Sequence, residues 1–377
     1  MKVAVAIDSF KGSLSSKQAG EAIKQGIKRA IPDAQVCISP IADGGEGTTE
    51  AVIEAMGGEI ISISVHNPLA EEIIASYGVI PKTNTAVIEV ASAAGLTLID
   101  EEQRNPMYTT TYGVGEMIAD AIERGYRNFL IGLGGSSTND GGVGMLMALG
   151  FEFLDCEGEN IIFGAEGLGE LSEIRKDNAI KELSDCAFTV ACDVKNPLCG
   201  KTGSSVIYAP QKGANEFEIE KMDKWLCRYA QLSEEIYPHA NPDFEGAGAA
   251  GGLGFAFKTY LNAKLGSGID LVIKEINLED YIKDADVVVT GEGRLDGQSS
   301  MGKTPIGVAK IAKKHKKTVI AFAGCIGNDA EKCNELGIDA FFPILRTPCT
   351  TEKAMECDYA FDNLVKTSEQ VFRLIKK

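Results

Sequence analysis

Histidine is scarce in this chain, with three residues in 377: His66, His239 and His315. That scarcity argues against a histidine-based catalytic triad or a histidine metal cluster. His315 stands in KKHKK, which reads as a solvated helix end. There are ten cysteines, and no pair has CxxC spacing, so zinc-site and thiol-redox patterns are missing. Cys37, Cys156, Cys186, Cys192, Cys199, Cys227, Cys325, Cys333, Cys349 and Cys357 therefore read as buried or incidental thiols. No apolar run approaches the roughly 18 residues that span a bilayer. The opening MKVAVAIDSF reads as a strand without a signal-peptide core or cleavage site, so a cytosolic protein without a membrane partner is expected. Positive charge is also in deficit: 37 Lys and Arg face 54 Asp and Glu, a net charge of −17. A nucleic-acid partner, which needs a basic stripe, is not expected.

What remains is an ordinary globular composition, 44% hydrophobic and 24% charged, in a chain long enough for two domains. Short apolar strands alternate with amphipathic helices, the pattern of an α/β protein with a mainly parallel sheet. VAVAI (3–7), VCISPI (36–41), VVVT (287–290), VIAFAG (319–324) and AFFPI (340–344) read as strands. Between the first two, Ser15 or Ser16 caps a helix with Ala19, Ile23 and Ile27 on one face, stopped by Pro32. The middle differs. Residues 60–90 read as paired strands, followed by long loops rich in glycine at 132–144, 193–205 and 246–254. The expected architecture is a discontinuous flavodoxin-like domain, residues 1–60 plus 285–377. It holds about five parallel strands with helices on both faces. A second, mixed α/β domain, 61–284, is inserted into it.

Residues 297–304, GQSSMGKT, satisfy the phosphate-loop pattern G-x-x-x-x-G-K-[ST]. In that loop the strand ends at the first glycine and GK[ST] opens the helix. Here the strand is expected to end near Thr290, with GEGRLD an extra loop, and Thr304-Pro305 reads as N-cap and first helical residue. The letters match while the architecture does not, although free amides at the helix start still favour an anion. An ordinary capped turn is the alternative. The GxGxxG of Gly246, Gly248 and Gly251 follows YPHANPDFE, which is not a strand, so it reads as a tight turn into a helix and not as a dinucleotide fingerprint.

Cations recur in the small-residue loops: Lys11 with Ser13, Lys195, Lys201, Arg294 and Lys303. Carboxylates lie beside them: Asp8, Asp43, Glu46, Asp140, Asp193, Glu292 and Asp296. An acidic protein that keeps lysines in such loops focuses positive charge locally. Phosphoryl transfer needs this mixture, with cations and amides for phosphates, carboxylates for Mg²⁺ and a base for the attacking hydroxyl. Taken singly, each residue is as readily a cap or turn former.

Together the segments KVAVAIDSFKGSLSS, PIADGGEGT, GLGGSSTNDGGVGMLMALG, ACDVKNPLCGKTGSSVIYAPQKGA, GAGAAGGLG and VVVTGEGRLDGQSSMGKTPIGVA resemble the bacterial glycerate kinases of the first class, in order from residue 1 to at least 345. The resemblance implies a two-domain fold with one discontinuous flavodoxin-like domain. It also implies ATP-dependent phosphorylation of D-glycerate, a phosphotransfer to an alcohol group, at the 2-hydroxyl in most such bacterial members. Relatives serve glyoxylate, glucarate or serine breakdown. On this reading Lys11, Ser13, Gly302 and Lys303 hold ATP phosphates, with Lys201 and Arg294 as further cations. Ser136, Ser137 and Asn139 help to hold the substrate carboxylate. Mg²⁺ sits on one or two of Asp8, Asp43, Glu292 and Asp296. Asp193, followed by Lys195 and Asn196, is the expected base; a turn-forming aspartate in DVKNP is the alternative. Closure of a cleft between the domains is a further expectation. Competing readings are a glycerate 3-kinase, a kinase for another small hydroxy acid, and a non-enzymatic organic-anion-binding protein.

Overall fold

The computed structural model describes residues 1–42, 47–297, 299–301 and 303–376. Its strands in chain order are β1 (Lys2–Val5), β2 (Gln35–Ile38), β3 (Glu59–His66), β4 (Glu72–Ile80), β5 (Thr85–Glu89), β6 (Asn128–Gly132), β7 (Glu152–Leu154), β8 (Glu173–Arg175), β9 (Ala187–Ala191), β10 (Lys264–Gly266), β11 (Val287–Leu295), β12 (Thr318–Ile326) and β13 (Ala340–Pro343). The chain divides into two compact units. One comprises Met1–Asp43, Glu50–Gly57 and Ile269–Lys377; the other comprises Gly44–Thr49 and Gly58–Gly268.

In the first unit five strands pair in the order β13-β12-β11-β1-β2, all parallel. This is the flavodoxin-like order. Val3, Val5, Val287, Val289, Ile320 and Phe322 face one core with Ile23, Ile27, Leu364 and Phe372 from helices Ser16–Ala30 and Cys357–Ile375. The alternate residues Ala4, Val288, Val319 and Ala321 are buried as well, beneath helix Thr304–Lys314 on the other face. β11 corrects the sequence reading. The strand does not stop at Thr290 but continues through GEGRL to Leu295, paired with β12 as far as Leu295↔Ile326. Gly291 permits this, because a Cβ there would lie 1.9 Å from the Phe322 carbonyl oxygen. Glycine and charge hid a paired strand.

Helix Ser16–Ala30 begins with a capping box: the Ser15 hydroxyl accepts from the Gln18 amide (3.2 Å), and the Gln18 side chain accepts from the Ser15 amide (2.9 Å). Its buried stripe includes Gly26, which sits where the helix meets Cys357–Ile375.

In the second unit six strands run in the order β10-β9-β6-β5-β4-β3. β5, β6, β9 and β10 are parallel, and β3, β4 and β5 pair antiparallel. The small β7–β8 ladder stands apart from this sheet. The GAGAAGGLG stretch is packing hardware. A Cβ on Gly251 (φ +74°) would meet the Thr138 carbonyl oxygen at 2.0 Å, and the Gly141 amide donates to the Gly251 carbonyl at 2.9 Å. These glycines lock the 136–142 loop against helix Leu253–Leu261 and do not form a dinucleotide turn. Among the described residues no helix is long and apolar enough to cross a membrane.

A Cβ on Gly26 would lie 2.0 Å from Ser368 Oγ and 2.4 Å from the Val365 carbonyl oxygen. Gly26→Ala should therefore destabilise the first unit by about 1–3 kcal/mol through overpacking, although alanine is the better helix former by about 1 kcal/mol. Urea denaturation checks this; equal or greater stability would show that the two helices separate without cost.

Candidate functional site

Strand β1 runs on past Val5 into Asp8, whose amide donates to the Gly291 carbonyl at 3.0 Å. Asp8 is buried. One carboxylate oxygen accepts from the Ser9 amide (2.6 Å) and the other from the Thr304 hydroxyl (2.8 Å). The next residues fold back on themselves: the Phe10 and Leu14 amides and carbonyls bond reciprocally at 2.8 and 3.1 Å around Gly12, at φ +76°. Lys11 is thereby held exposed at the tip of a tight turn. Alongside, β11 carries Glu292, buried, and Arg294, whose Nε pairs with Asp296 Oδ2 at 3.0 Å. Lys303 is the N-cap of Thr304–Lys314, so that helix begins one residue before the expected Pro305 start.

These side chains meet. Asp8, Lys11, Ser13, Glu292, Arg294 and Lys303 all line one cavity of about 450 Å³. The cavity opens at the carboxyl ends of β1 and β11. There β1 has β2 on one side and β11 on the other, so the crevice is the topological switch point of the sheet, the place where open α/β sheets bind ligands. Ser13 Oγ is buried and has no hydrogen-bond partner among the described residues. Asp296 reaches the cavity through its pair with Arg294. Asp43 and Gly302 lie outside the described residues.

The second unit gathers a different set. The loop after β6 carries Ser136, Ser137 and Asn139, all buried. Ser137 Oγ donates to the Ala94 carbonyl at 3.0 Å. Asn139 donates to Ser205 Oγ at 2.9 Å and accepts from Ser204 Oγ at 3.1 Å. Their polar atoms therefore hold the loop to its neighbours. Asp140 is buried too and accepts from the Thr111 amide and hydroxyl (both 2.8 Å) and from the amides of Gly142 and Gly144. Burial pushes its carboxyl up, and these hydrogen bonds pull the other way.

Sequence reasoning missed Lys212, in the PQKG turn. It is 3% exposed, and its ammonium donates to Ser136 Oγ (3.0 Å) and the Thr138 carbonyl (2.7 Å). Burial pushes Lys212 down to about 7, against the pull of Asp140. A lysine between proline and glycine looks like a surface turn in one dimension, and nothing local signals its burial. Glu89, also missed, ends β5 and accepts from the Gly47 and Thr49 amides at 3.3 and 2.7 Å.

Asp193 follows β9, is exposed, and accepts from the Gly268 amide at 3.0 Å. Lys195 pairs with Glu245 at 3.2 Å with both side chains about three-quarters exposed (79% and 73%), an arrangement of small energetic weight. Asn196 accepts from the Tyr208 hydroxyl (2.6 Å) and donates to the Thr202 carbonyl (2.8 Å), fixing the loop that carries Lys201, which is exposed. The expectation of buried or incidental thiols is corrected. Cys199 and Cys227 form a disulfide, tying this loop to helix Glu216–Ile236. Cys37, Cys156, Cys325, Cys349 and Cys357 are exposed.

Comparison with known proteins adds to this geometry. The profile described as the Glycerate kinase family matches residues 3–376. The chain is 45% identical over 371 residues to a protein of Escherichia coli K12 named Glycerate 2-kinase, covering 98% of this chain and 97% of that one. It is 43% identical over 375 residues to the Glycerate kinase of Haemophilus influenzae, covering 100% and 99%. A crystal structure of a glycerate kinase 2 candidate from Salmonella typhimurium LT2 superposes with a TM-score of 0.91 at 43% identity, covering 100% of this chain and 98% of that one.

The buried Lys212 carries a stability signature. Its proton is held to about pH 7 in the folded chain, against an ordinary value of 10.5 when unfolded. Between those values the unfolded chain binds more protons, so this group makes stability rise with pH, by up to about 1.4 kcal/mol per pH unit. Lys212→Met should flatten the slope between pH 7 and 9 in urea melts. An unaltered slope would mean that the buried amine keeps its proton throughout.

Proposed function

Because this chain belongs to the glycerate kinase family, we propose that it transfers the γ-phosphoryl group of ATP to the 2-hydroxyl of D-glycerate, giving 2-phosphoglycerate and ADP. The observation that carries the reading is the meeting of Lys11, Arg294 and Lys303 with the carboxylates Asp8 and Glu292 in one cavity of an otherwise acidic protein. Cations beside carboxylates suit a polyphosphate and its divalent counter-ion; a site for an organic anion alone has no use for the carboxylates.

Lys11 and Lys303 neutralise phosphate oxygens, and the Ser13 hydroxyl, which has no hydrogen-bond partner among the described residues, donates to one. The positive dipole end of helix Thr304–Lys314 adds to the field. Asp8 and Glu292 would hold Mg²⁺ through their carboxylate oxygens. Among the described residues no three His, Cys, Asp or Glu side chains form a metal cage. When bound, Mg²⁺ offsets charge on the phosphates.

Ser136, held by Lys212, is the acid-binding group assigned to the second unit, with the buried ammonium behind it. Asp193 is the base. It takes the proton of the attacking hydroxyl as the new O–P bond forms and the bond to the ADP oxygen breaks. Lys195 and Asn196 shape its loop. A cytosolic location, where ATP is at hand, belongs to this reading.

ADP release should require both D-glycerate and Mg²⁺, and phosphorus NMR should show the 2-phosphate. No ADP release under any condition would leave only an anion-binding protein, release without glycerate would be hydrolysis of ATP by water and would contradict the kinase reading, and a 3-phosphate would move the acceptor. Asp193→Asn should lower kcat by about 10²–10⁴-fold with the fold intact by circular dichroism. An unchanged kcat would take the base role from Asp193.

A further inference from the structure

The cavity of the first unit has two chemically different ends. Its polar end holds Asp8, Lys11, Ser13, Glu292, Arg294 and Lys303. Its other end is apolar: Phe10 and Ile344 are buried, while Leu345 and Met355 remain 37% and 41% exposed over the space. Phe10 and Ile344 also belong to the core, whereas Leu345 and Met355 line the cavity outside it, and exposed apolar side chains over a cavity mark a surface that a ligand covers. Glycerate, three carbons bearing a carboxylate and two hydroxyls, has no apolar surface to offer them. The two ends adjoin, because a Cβ on Gly12, beside Lys11, would lie 2.7 Å from Met355 Cε. A molecule that carries both an anionic group and a flat or apolar part would satisfy the whole lining. The wall is held in place: the Thr350 hydroxyl caps helix Thr351–Met355 by accepting from the Lys353 amide at 3.3 Å.

We infer that the apolar end, walled by Phe10, Ile344, Leu345 and Met355, seats the base of the donor nucleoside triphosphate, with the phosphates running to Lys11, Arg294 and Lys303. This rests on the kinase reading above and adds where the donor lies and which side chains recognise its uncharged part. The methionine thioether and the Leu345 side chain suit a flat ring by polarisability and shape. A volume of about 450 Å³ is in the range of sites that enclose ligands of nucleotide size.

The protein carries its own footprinting reagents. Cys325 and Cys349 are exposed and line this cavity, while Cys37 and Cys156 are exposed and do not. Wild-type protein is alkylated with N-ethylmaleimide and mapped by peptide mass spectrometry, with calorimetry of MgADP binding run in parallel. MgADP should slow Cys325 and Cys349 at least fivefold and leave Cys37 and Cys156 unchanged, and glycerate should protect neither pair. MgADP that binds but leaves Cys325 and Cys349 as reactive as before would overturn the inference while the kinase reading stands. Absence of any nucleotide binding would overturn both. The double variant Leu345→Ala, Met355→Ala tests the wall itself. Its affinity for ATP should fall about tenfold, the loss expected from partial removal of apolar burial, while inorganic tripolyphosphate, which has no base, should bind as to wild type. Equal loss for both probes, or for neither, would contradict a base-binding wall.

Discussion

The first unit depends on parallel pairing between strands nearly the whole chain apart. β1 pairs with β11 through Val3↔Val287, Ala4↔Val288 and Val5↔Val289, and the Thr304 hydroxyl closes the same edge by donating to buried Asp8 at 2.8 Å. Two parallel neighbours end on the same side, so whatever follows either strand is delivered to one place. That is how the Lys11 turn and the Glu292–Arg294 segment come to share a cavity. The chain leaves β1 toward β2 on one side and returns as β11 on the other, and this reversal opens the crevice. Were Asp8 to lose its partner, a buried carboxylate would stand less well compensated at the base of the site, and such a group is costly.

Net charge and local charge pull in opposite directions here, and geometry decides between them. A protein at −17 repels anions at long range, yet that repulsion is screened within about 10 Å at ordinary salt. Inside that distance the Lys11, Arg294 and Lys303 side chains govern the cavity. The second unit uses a stronger device, a lysine removed from water almost entirely and held by Ser136 and Thr138, with Asp140 pulling its proton affinity back up.

Much of the first unit was legible. All five of its strands were visible as apolar runs; the apolar stretches of β1, β11 and β12 are buried on both faces, where no polar residue interrupts them, while the edge strands β2 and β13 are only partly buried. The capping serine and the helix after GKT were visible from local chemistry. The continuation of β11 through GEGRL was not: glycine and charge argue for a loop, and only the Phe322 carbonyl on the next strand explains why glycine is there. The same limit applied to the site. Lys11, Ser13, Arg294 and Lys303 could be named because their loops mix cations with small residues, and the structure brings them to one cavity. Ser137 and Asn139 looked like ligand donors, yet they bond to Ala94, Ser204 and Ser205, partners that sequence order does not reveal. Lys212 and the Cys199–Cys227 pair were invisible for the same reason: burial and pairing are properties of three dimensions.

The central claim is that distant cations converge at the switch point of the first unit to hold the phosphates of a nucleotide. A crystal structure of this protein with MgADP tests it most directly. The account expects the diphosphate within hydrogen-bonding distance of Lys11 and Lys303, at the carboxyl ends of β1 and β11. Nucleotide density elsewhere, with those two lysines extended into solvent, would contradict it.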